Sequence, residues 1–252
     1  MKQMNQEAVY ILNRRVYKES SLLLDAFSPN YGRLSIVANS VLKSNKGWSA
    51  ILQVFQPLLM IWTGKSSLKT LVSVDAPSPA ITLHGYRLFS AYYLNELLLK
   101  LMPQDQASSS TFTYLFINYA KSLQGLSSST DIEIPLREFE YYLLTDLGVF
   151  PDITNDIYGD LIEADRWYQF KSSMGFEPIL NFESSSKMLS SAYLLGENLT
   201  KLDRFSSEMY TDKQFMLQMK RLMRVLIHDL LGGKELKSRV LFKSYQPFRS
   251  SK

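Results

Sequence analysis

The spacing of apolar residues changes at Pro79, and that change limits what the chain can become. Before it, apolar residues come in five short runs, at 8–12, 21–27, 33–41, 57–63 and 68–74, none with a sustained helical period. Turn residues separate them: Pro29-Asn30-Tyr31-Gly32, Gly47, Gly64-Lys65-Ser66-Ser67 and Pro77. Such residues supply positive or fixed backbone dihedrals, so the runs read as strands. In the third run, Leu34 and Ile36 oppose Arg33 and Ser35. In the fifth, strict alternation puts Leu68, Thr70, Val72 and Val74 on one face and Lys69, Leu71 and Ser73 on the other. Five short strands in so little chain suit a small closed barrel better than a sandwich.

After Pro79 the spacing becomes three and four. Residues 85–102 place Leu88, Tyr92, Leu99 and Met102 on one stripe, widened by Leu94, Leu97, Leu98 and Leu101. A helix so apolar all round belongs at the centre of a fold. A second helix is expected over 111–123, then a loop at Gly125–Thr130, with Asp131 placed to cap a third helix. Leu136, Phe139, Leu143 and Leu147 mark that third helix, ending at Gly148. Residues 150–182 are interrupted by Pro151, Gly159, Gly175 and Pro178, and Trp167–Phe170 followed by Met174–Phe176 reads as a short hairpin. Helical spacing returns at Met188, Ala192, Leu195 and Leu199. A last long helix carries Phe215, Met219, Leu222 and Leu226 and is closed by Gly232-Gly233. The expected organisation is α+β: a β domain over 1–80 and a mainly α-helical domain over 81–252.

Charge follows the same division. Residues 1–80 hold nine Lys and Arg against four Asp and Glu, residues 81–230 hold 13 against 19, and residues 231–252 hold six against one. The total of +4 therefore hides two basic ends around an acidic middle. A basic β domain on an acidic helical body points to a polyanion at one surface and a protein at another. No stretch reaches the roughly 18 apolar residues of a membrane span, and the start lacks an apolar signal core. A cytoplasmic protein is expected. Cysteine is absent from the 252 residues, which excludes disulfides, thiolate zinc sites and cysteine nucleophiles.

Enzyme motifs fail on inspection. Gly232-Gly233-Lys234 lacks the first glycine of a phosphate loop, whose place is taken by His228, and lacks the following Ser or Thr, replaced by Glu235. His228 and Asp229 are neighbours and point apart on a helix. His84 has no serine nucleophile elbow nearby. Asp160, Glu163 and Asp165 fall on a loop, where solvation explains them. No catalytic constellation or cofactor site emerges.

Binding chemistry fares better. Lys43, Lys46 and Trp48 share one loop, Lys65 and Lys69 sit at the next hairpin, and Arg14, Arg15 and Lys18 at the first. Cations neutralise phosphates and aromatics stack on unpaired bases. A solvated basic rim with Trp48 packed inward is the plainer reading, and the pattern leaves both open. The block from Lys234 through Lys237 and Arg239 to Lys243 fits a phosphate backbone or an amphipathic end packing Leu236, Val240 and Leu241. Arg137 either pairs with Glu133 one turn earlier or holds a partner's carboxylate.

Several segments, in order and spacing, resemble the bacterial RecO family of recombination mediators. They are Glu19-Ser20-Ser21-Leu22-Leu23-Leu24-Asp25-Ala26-Phe27-Ser28 with Gly32-Arg33-Leu34, Leu52-Gln53-Val54-Phe55-Gln56-Pro57-Leu58, and Leu68-Lys69-Thr70-Leu71. Tyr93-Leu94-Asn95-Glu96-Leu97-Leu98, Leu136-Arg137-Glu138-Phe139-Glu140 and Gly232-Gly233-Lys234-Glu235-Leu236-Lys237-Ser238-Arg239 complete the set. The resemblance implies an oligonucleotide/oligosaccharide-binding (OB) barrel on a helical domain, binding and annealing of single-stranded DNA, and partnership with RecR. It also implies capture of the acidic, apolar tail of single-stranded DNA-binding protein (SSB) and loading of a recombinase, without catalysis. By the resemblance, the barrel's DNA-facing cations correspond most nearly to Arg33, Lys43, Lys46, Lys65 and Lys69; the charge pattern adds Arg14, Arg15, Trp48, Lys234, Lys237 and Arg239 to the expected DNA-binding set. Arg137 would meet the SSB tail, with Leu136, Phe139 and Leu143 as apolar walls. Many RecO-like proteins carry a four-cysteine zinc site that this chain lacks, so aromatic packing of Trp167, Tyr168, Phe170 and Phe176 is expected to order residues 150–182. The chain alone is expected to be a monomer. A protein-binding adaptor and an RNA-binding barrel remain the other readings of the same pattern.

Overall fold

In the computed structural model, which describes residues 6–43, 47–104, 112–180, 192–202 and 211–245, the five apolar runs are five strands. They are β1 (Glu7–Tyr17), β2 (Ser21–Ser28), β3 (Gly32–Ala38), β4 (Pro57–Thr63) and β5 (Leu68–Asp75), with a short helix α1 (Trp48–Ile51) between β3 and β4. They close into a barrel in the order β1-β2-β3-β5-β4. β1 pairs with both β2 and β4, and β3 runs parallel to β5. This is the OB topology that the resemblance implies. Val9, Ile11, Leu24, Leu34, Ile36, Leu58, Met60, Leu71 and Val74 fill the interior.

Two bulges set which side chains enter it. Opposite Ala26 and Asp25 stand Ile11 and Asn13, so Leu12 is an extra residue on β1. Opposite Ile61 and Trp62 stand Ser73 and Leu71, so Val72 is an extra residue on β5. The strict alternation expected for β5 fails there. Leu71 and Val74 both face inward while Val72 is exposed, because a bulge shifts the strand by one residue.

The helices are α2 (Gly85–Leu101), α3 (Thr113–Ser128), α4 (Glu133–Asp146), α5 (Gly196–Leu202), α6 (Lys213–Leu230) and α7 (Lys237–Ser244). None among the described residues is long and apolar enough to cross a membrane. Two compact units divide the chain: Met1–Phe139 with Leu236–Lys252, and Glu140–Glu235.

In the first unit the barrel packs on helices through the outer face of β1 and β2. Tyr10 and Phe27 meet Phe116 and Tyr119 of α3, ring centroids 5.1–6.1 Å apart. The Asn95 amide of α2 donates to the carbonyl of Leu12, the bulge residue, at 2.8 Å, and the Tyr119 hydroxyl donates to Asn95 Oδ1 at 2.6 Å. Burial, with a smaller push from Tyr10, holds the Tyr119 phenol well above its ordinary range, so it stays a donor. The stripe expected on α2 is displaced. Tyr92 is exposed, and Ala91, Tyr93, Leu94, Asn95, Leu97 and Leu98 are buried. Past α2, the segment Met102–Gln104 runs beside β3. Arg33 Nε donates to the Met102 carbonyl, Arg33 bridges Gln104, and Gln104 donates to Ser35 Oγ, which covers β3 up to Ser35, where its pairing with β5 begins.

α3 enters at the β2–β3 turn, where the Phe112 N–H donates to Pro29 O at 2.7 Å. Gly32 has a positive φ of 63° and the Phe112 ring lies 2.7 Å from where a Cβ would stand, so only glycine fits. α3 runs to Ser128, beyond its expected end, because Leu126 is buried and Gly125 lets α3 pass close to Pro135. Asp131 does cap α4, accepting from the Glu133 N–H at 2.8 Å.

The second unit holds a three-stranded sheet in the order β7-β6-β8, from β6 (Trp167–Lys171), β7 (Gly175–Pro178) and β8 (Tyr193–Leu195), with α5 and α6. The expected hairpin is β6–β7. Tyr168 and Phe176 are fully buried and Phe170 nearly so, and the Tyr168 hydroxyl accepts from the Glu163 N–H. Of the four rings expected to pack here, three are buried and Trp167 is half-buried. The helix expected through Ala192 and Leu195 is instead strand β8. Ala192 and Leu194 are buried at a spacing of two, and the wider spacing to Leu199 only imitates a helical period. Met188 lies outside the described residues. α6 matches its expected period and ends at Gly232 and Gly233, both with positive φ.

Asn95→Leu leaves the Leu12 carbonyl and Tyr119 hydroxyl buried without partners. It is expected to cost about 2–5 kcal/mol in urea denaturation, with Tyr119→Phe costing clearly less.

Candidate nucleic-acid interface

Strand register separates the barrel's cations into two groups. At one end lie the β1–β2 turn and the end of β3, where Tyr17 faces Ser21 and Leu22 faces Ala38. The Leu42 N–H donates to Ser20 O there, and Lys43 Nζ lies 3.5 Å from Glu19, an exposed pair worth little in water. Arg14, Arg15 and Lys18 are exposed on this hairpin, and Val16 stands exposed between them. Arg14 anchors its guanidinium by donating to the Leu52 carbonyl at 3.0 Å. Lys46 lies outside the described residues. Trp48 opens α1 and is half-buried, packed against the barrel core as Ile51, Val54 and Trp62 are.

At the other end lie the β2–β3 and β4–β5 turns. Lys65 is exposed. Lys69 Nζ donates to Ser66 O at 2.8 Å, bracing its own hairpin. Tyr31 and Trp62 meet here edge to face, centroids 5.3 Å apart, with Tyr31 exposed. In the sequence Tyr31 reads only as a turn residue and Trp62 only as strand. The signal for Trp62 is its place just before Gly64-Lys65, and for Tyr31 its place inside a turn, where a ring has little to pack against. Arg33, half-buried, spends its Nε on Met102 O, so it joins β3 to the chain after α2 before it meets any ligand.

The C-terminal cations are built on α2. Glu96 accepts from the N–H groups of Lys237 and Ser238 and from the Ser238 hydroxyl, at 2.9, 2.8 and 2.7 Å. A carboxylate at a helix start meets unsatisfied N–H groups and the positive end of the dipole. Lys100 closes on the same carboxylate at 3.1 Å. Burial alone would push the Glu96 carboxyl up. The Ser238 and Lys237 bonds and Lys100 outweigh it and hold the group below its ordinary range. Arg239 lies over the Tyr93 ring at 5.6 Å, a cation–π contact. Lys237 is exposed, as is Lys234, which belongs to the second unit. The apolar end expected from Leu236, Val240 and Leu241 is only partly formed: Leu236 is buried, whereas Val240 and Leu241 are exposed.

On α4, Arg137 is 6% exposed and Leu136 8%, while Phe139 and Leu143 are fully buried. Arg137 Nε lies 3.9 Å from Glu133 Oε2, the i,i+4 geometry expected of the pair. Phe139 packs on Tyr119 at 6.0 Å. As walls touching a ligand, Phe139 and Leu143 are corrected: neither offers surface, so they brace the helix from behind. The expected separation of His228 from Asp229 is also corrected, since His228 Nδ1 reaches Asp229 at 3.6 Å.

The first 79 residues match the family model for the recombination protein O N-terminal region, and residues 84–240 match that for its C-terminal region. The chain belongs to the recombination protein O (RecO) family. Among similar proteins, the DNA repair protein RecO of Aliivibrio fischeri ES114 is 34% identical over 240 residues, covering 92% of this chain and 93% of that protein. The RecO of Alteromonas mediterranea is 36% identical over 234 residues, covering 92% and 94%. The Haemophilus influenzae Rd protein is 34% identical over 238 residues, covering 92% and 93%. In RecO terms, the closed barrel is the N-terminal OB-like part and α2 begins the helical part.

Because the Glu96 carboxyl is held below its ordinary value, its share of stability is full above the unfolded pKa near 4.5 and is lost as pH falls through the lower folded value. Glu96→Gln is expected to remove this acid-sensitive share and to speed amide exchange across 237–244 at neutral pH.

Proposed function

We propose that this RecO-family protein is a non-catalytic recombination mediator that binds and anneals single-stranded DNA. In this reading it engages the C-terminal tail of SSB and acts with RecR to load a recombinase on SSB-coated strands. The observation that carries the proposal is a closed barrel with exposed cations at both ends, in a chain matched to the RecO family along its length. Arg14, Arg15, Lys18 and Lys43 suit phosphates at one end and Lys65 at the other, where Tyr31 offers a ring to an unpaired base. Arg33 and Arg239 carry N–H groups besides those in the contacts described above, and Lys69 stands half-buried on the β4–β5 hairpin beside Lys65. Arg137 is the residue assigned to the tail's terminal carboxylate, approached over Leu136, with Phe139 and Leu143 holding the helix. Tail and strand together give an effective concentration that two weak contacts lack separately. Partnership with RecR and association with the nucleoid belong to the same proposal.

Fluorescence anisotropy with a labelled oligonucleotide should show affinity falling steeply with salt. Lys43→Ala with Lys65→Ala should flatten the log–log slope by about two and weaken all sequences alike. Salt-insensitive binding would sink the DNA half of the proposal. For the tail, Arg137→Ala should weaken an SSB-tail peptide about tenfold or more, the loss of a charge-assisted bond. An unchanged affinity with an unchanged melting temperature would remove Arg137 from the role.

A further inference from the structure

A patch of exposed rings on α2 and α7 stands apart from the barrel's cations. Tyr86 meets Phe242 at 4.8 Å and Tyr245 at 5.0 Å, and Phe89 meets Tyr245 at 5.0 Å. Unlike the buried cluster of Tyr10, Phe27 and Tyr119, these rings reach solvent: Phe242 is 40% exposed and Tyr86 37%, flanked by exposed Val240 and Leu241. An apolar surface of this kind marks a binding site more often than a plain exterior. Its charge is one-sided. From Leu236 to Lys252 there is no Asp or Glu, and α7 itself carries Lys237, Arg239 and Lys243. Glu96 is occupied by the start of α7 and by Lys100. Arg239 and Lys243 are one helical turn apart, about 6 Å along the axis.

We propose that this patch is a second seat for single-stranded DNA, where Phe242 and Tyr86 stack on unpaired bases and the α7 cations meet the adjoining phosphates. The proposal rests on the DNA-binding reading above and deepens it, by naming where a second strand is held. Rings beside cations fit a ligand that is anionic along its backbone and flat along its bases. The seat is preformed. Glu96 fixes the start of α7, and Tyr245 closes its end over Gly85, where the hydroxyl lies 3.4 Å from the position of a Cβ. A rigid seat loses less entropy on binding. It also lies on its own face of α2. The residues meeting α7 are Tyr86, Phe89, Tyr93 and Glu96, spaced three and four apart, whereas Tyr92 and Asn95 meet Phe55 and Leu12 of the barrel. Two strands on these two surfaces are carried by one unit without sharing a groove, which is the geometry that annealing needs.

The test uses the full chain and thymidine oligonucleotides. Phe242→Trp places a reporter in the seat, and its emission, taken as the difference from wild type, should be quenched as the oligonucleotide binds. Phe242→Leu keeps the apolar contact with Tyr86 but loses the stacking ring. It and Lys243→Gln should slow annealing of complementary strands about tenfold while binding of a short oligonucleotide changes less than about twofold. Equal melting temperatures exclude a folding defect, and the tryptophan reporter decides the matter if Phe242→Leu is unstable. Normal oligonucleotide binding with an unquenched reporter and wild-type annealing would overturn the seat and leave the DNA reading standing. Absence of any oligonucleotide binding to wild type overturns both. Quenching by an acidic apolar peptide but not by DNA overturns the seat in favour of a protein partner.

Discussion

One carboxamide joins the two halves of the first unit. Asn95 donates to a strand carbonyl that the β1 bulge has freed from the ladder, and accepts from the Tyr119 hydroxyl on a second helix. All three groups lie where water does not reach, so each needs the others, and their unmet desolvation would be large beside a domain's net stability. The bulge at Leu12 is therefore part of the interface: without the extra residue its carbonyl would turn into the β1–β2 ladder. Around this link the apolar contacts add area, with Tyr10 and Phe27 against Phe116 and Tyr119. The polar link fixes the orientation that apolar area alone leaves loose.

That fixed orientation gives α2 its character. A helix apolar nearly all round has no single inward face, and here it needs none. One side meets both the barrel and α3, through Asn95 with Leu12 and Tyr119, and another receives α7. Charge is distributed around this frame. Lys18, Lys65 and Lys237 are exposed, while Arg33, Arg87 and Arg14 donate to backbone carbonyls and hold elements together. Cations thus do two jobs, decided by whether a carbonyl lies within reach.

The strands are legible in the sequence because their punctuation is chemical. Gly32, Gly47 and Gly64 take positive φ where turns are expected, and Leu34 and Ile36 face inward as alternation requires. The bulges are not legible, since Leu12 and Val72 become extra residues only in relation to the partner strand. The buried face of α2 escapes for a related reason: with leucines on every side, periodicity does not choose among faces, and Asn95, which does, looks like a surface residue in sequence. Ala192 and Leu195 imitate a helix because a spacing of three or four is also reached by a short strand and the helix after it. At the site, residue type is legible and exposure is not. Arg137 stands opposite Glu133 as its spacing requires, but the burial of Phe139 and Leu143 depends on packing against other segments. Tyr31 and Trp62 are far apart in sequence and meet only because the barrel closes.

The clasp of Glu96 on the start of α7 has a consequence in time. The two partners are 141 residues apart in sequence. An eight-residue helix does not hold its shape alone. During synthesis the barrel, α2 and α3 are complete long before α7 leaves the ribosome, and until then Glu96 is an ordinary half-covered carboxylate with no helix to cap. The nascent chain therefore presents a finished barrel without the aromatic and cationic surface of α7. The α7 surface therefore exists only once residues 237–245 are made, and a chain cut short within the second unit keeps the barrel's cations while losing those of α7.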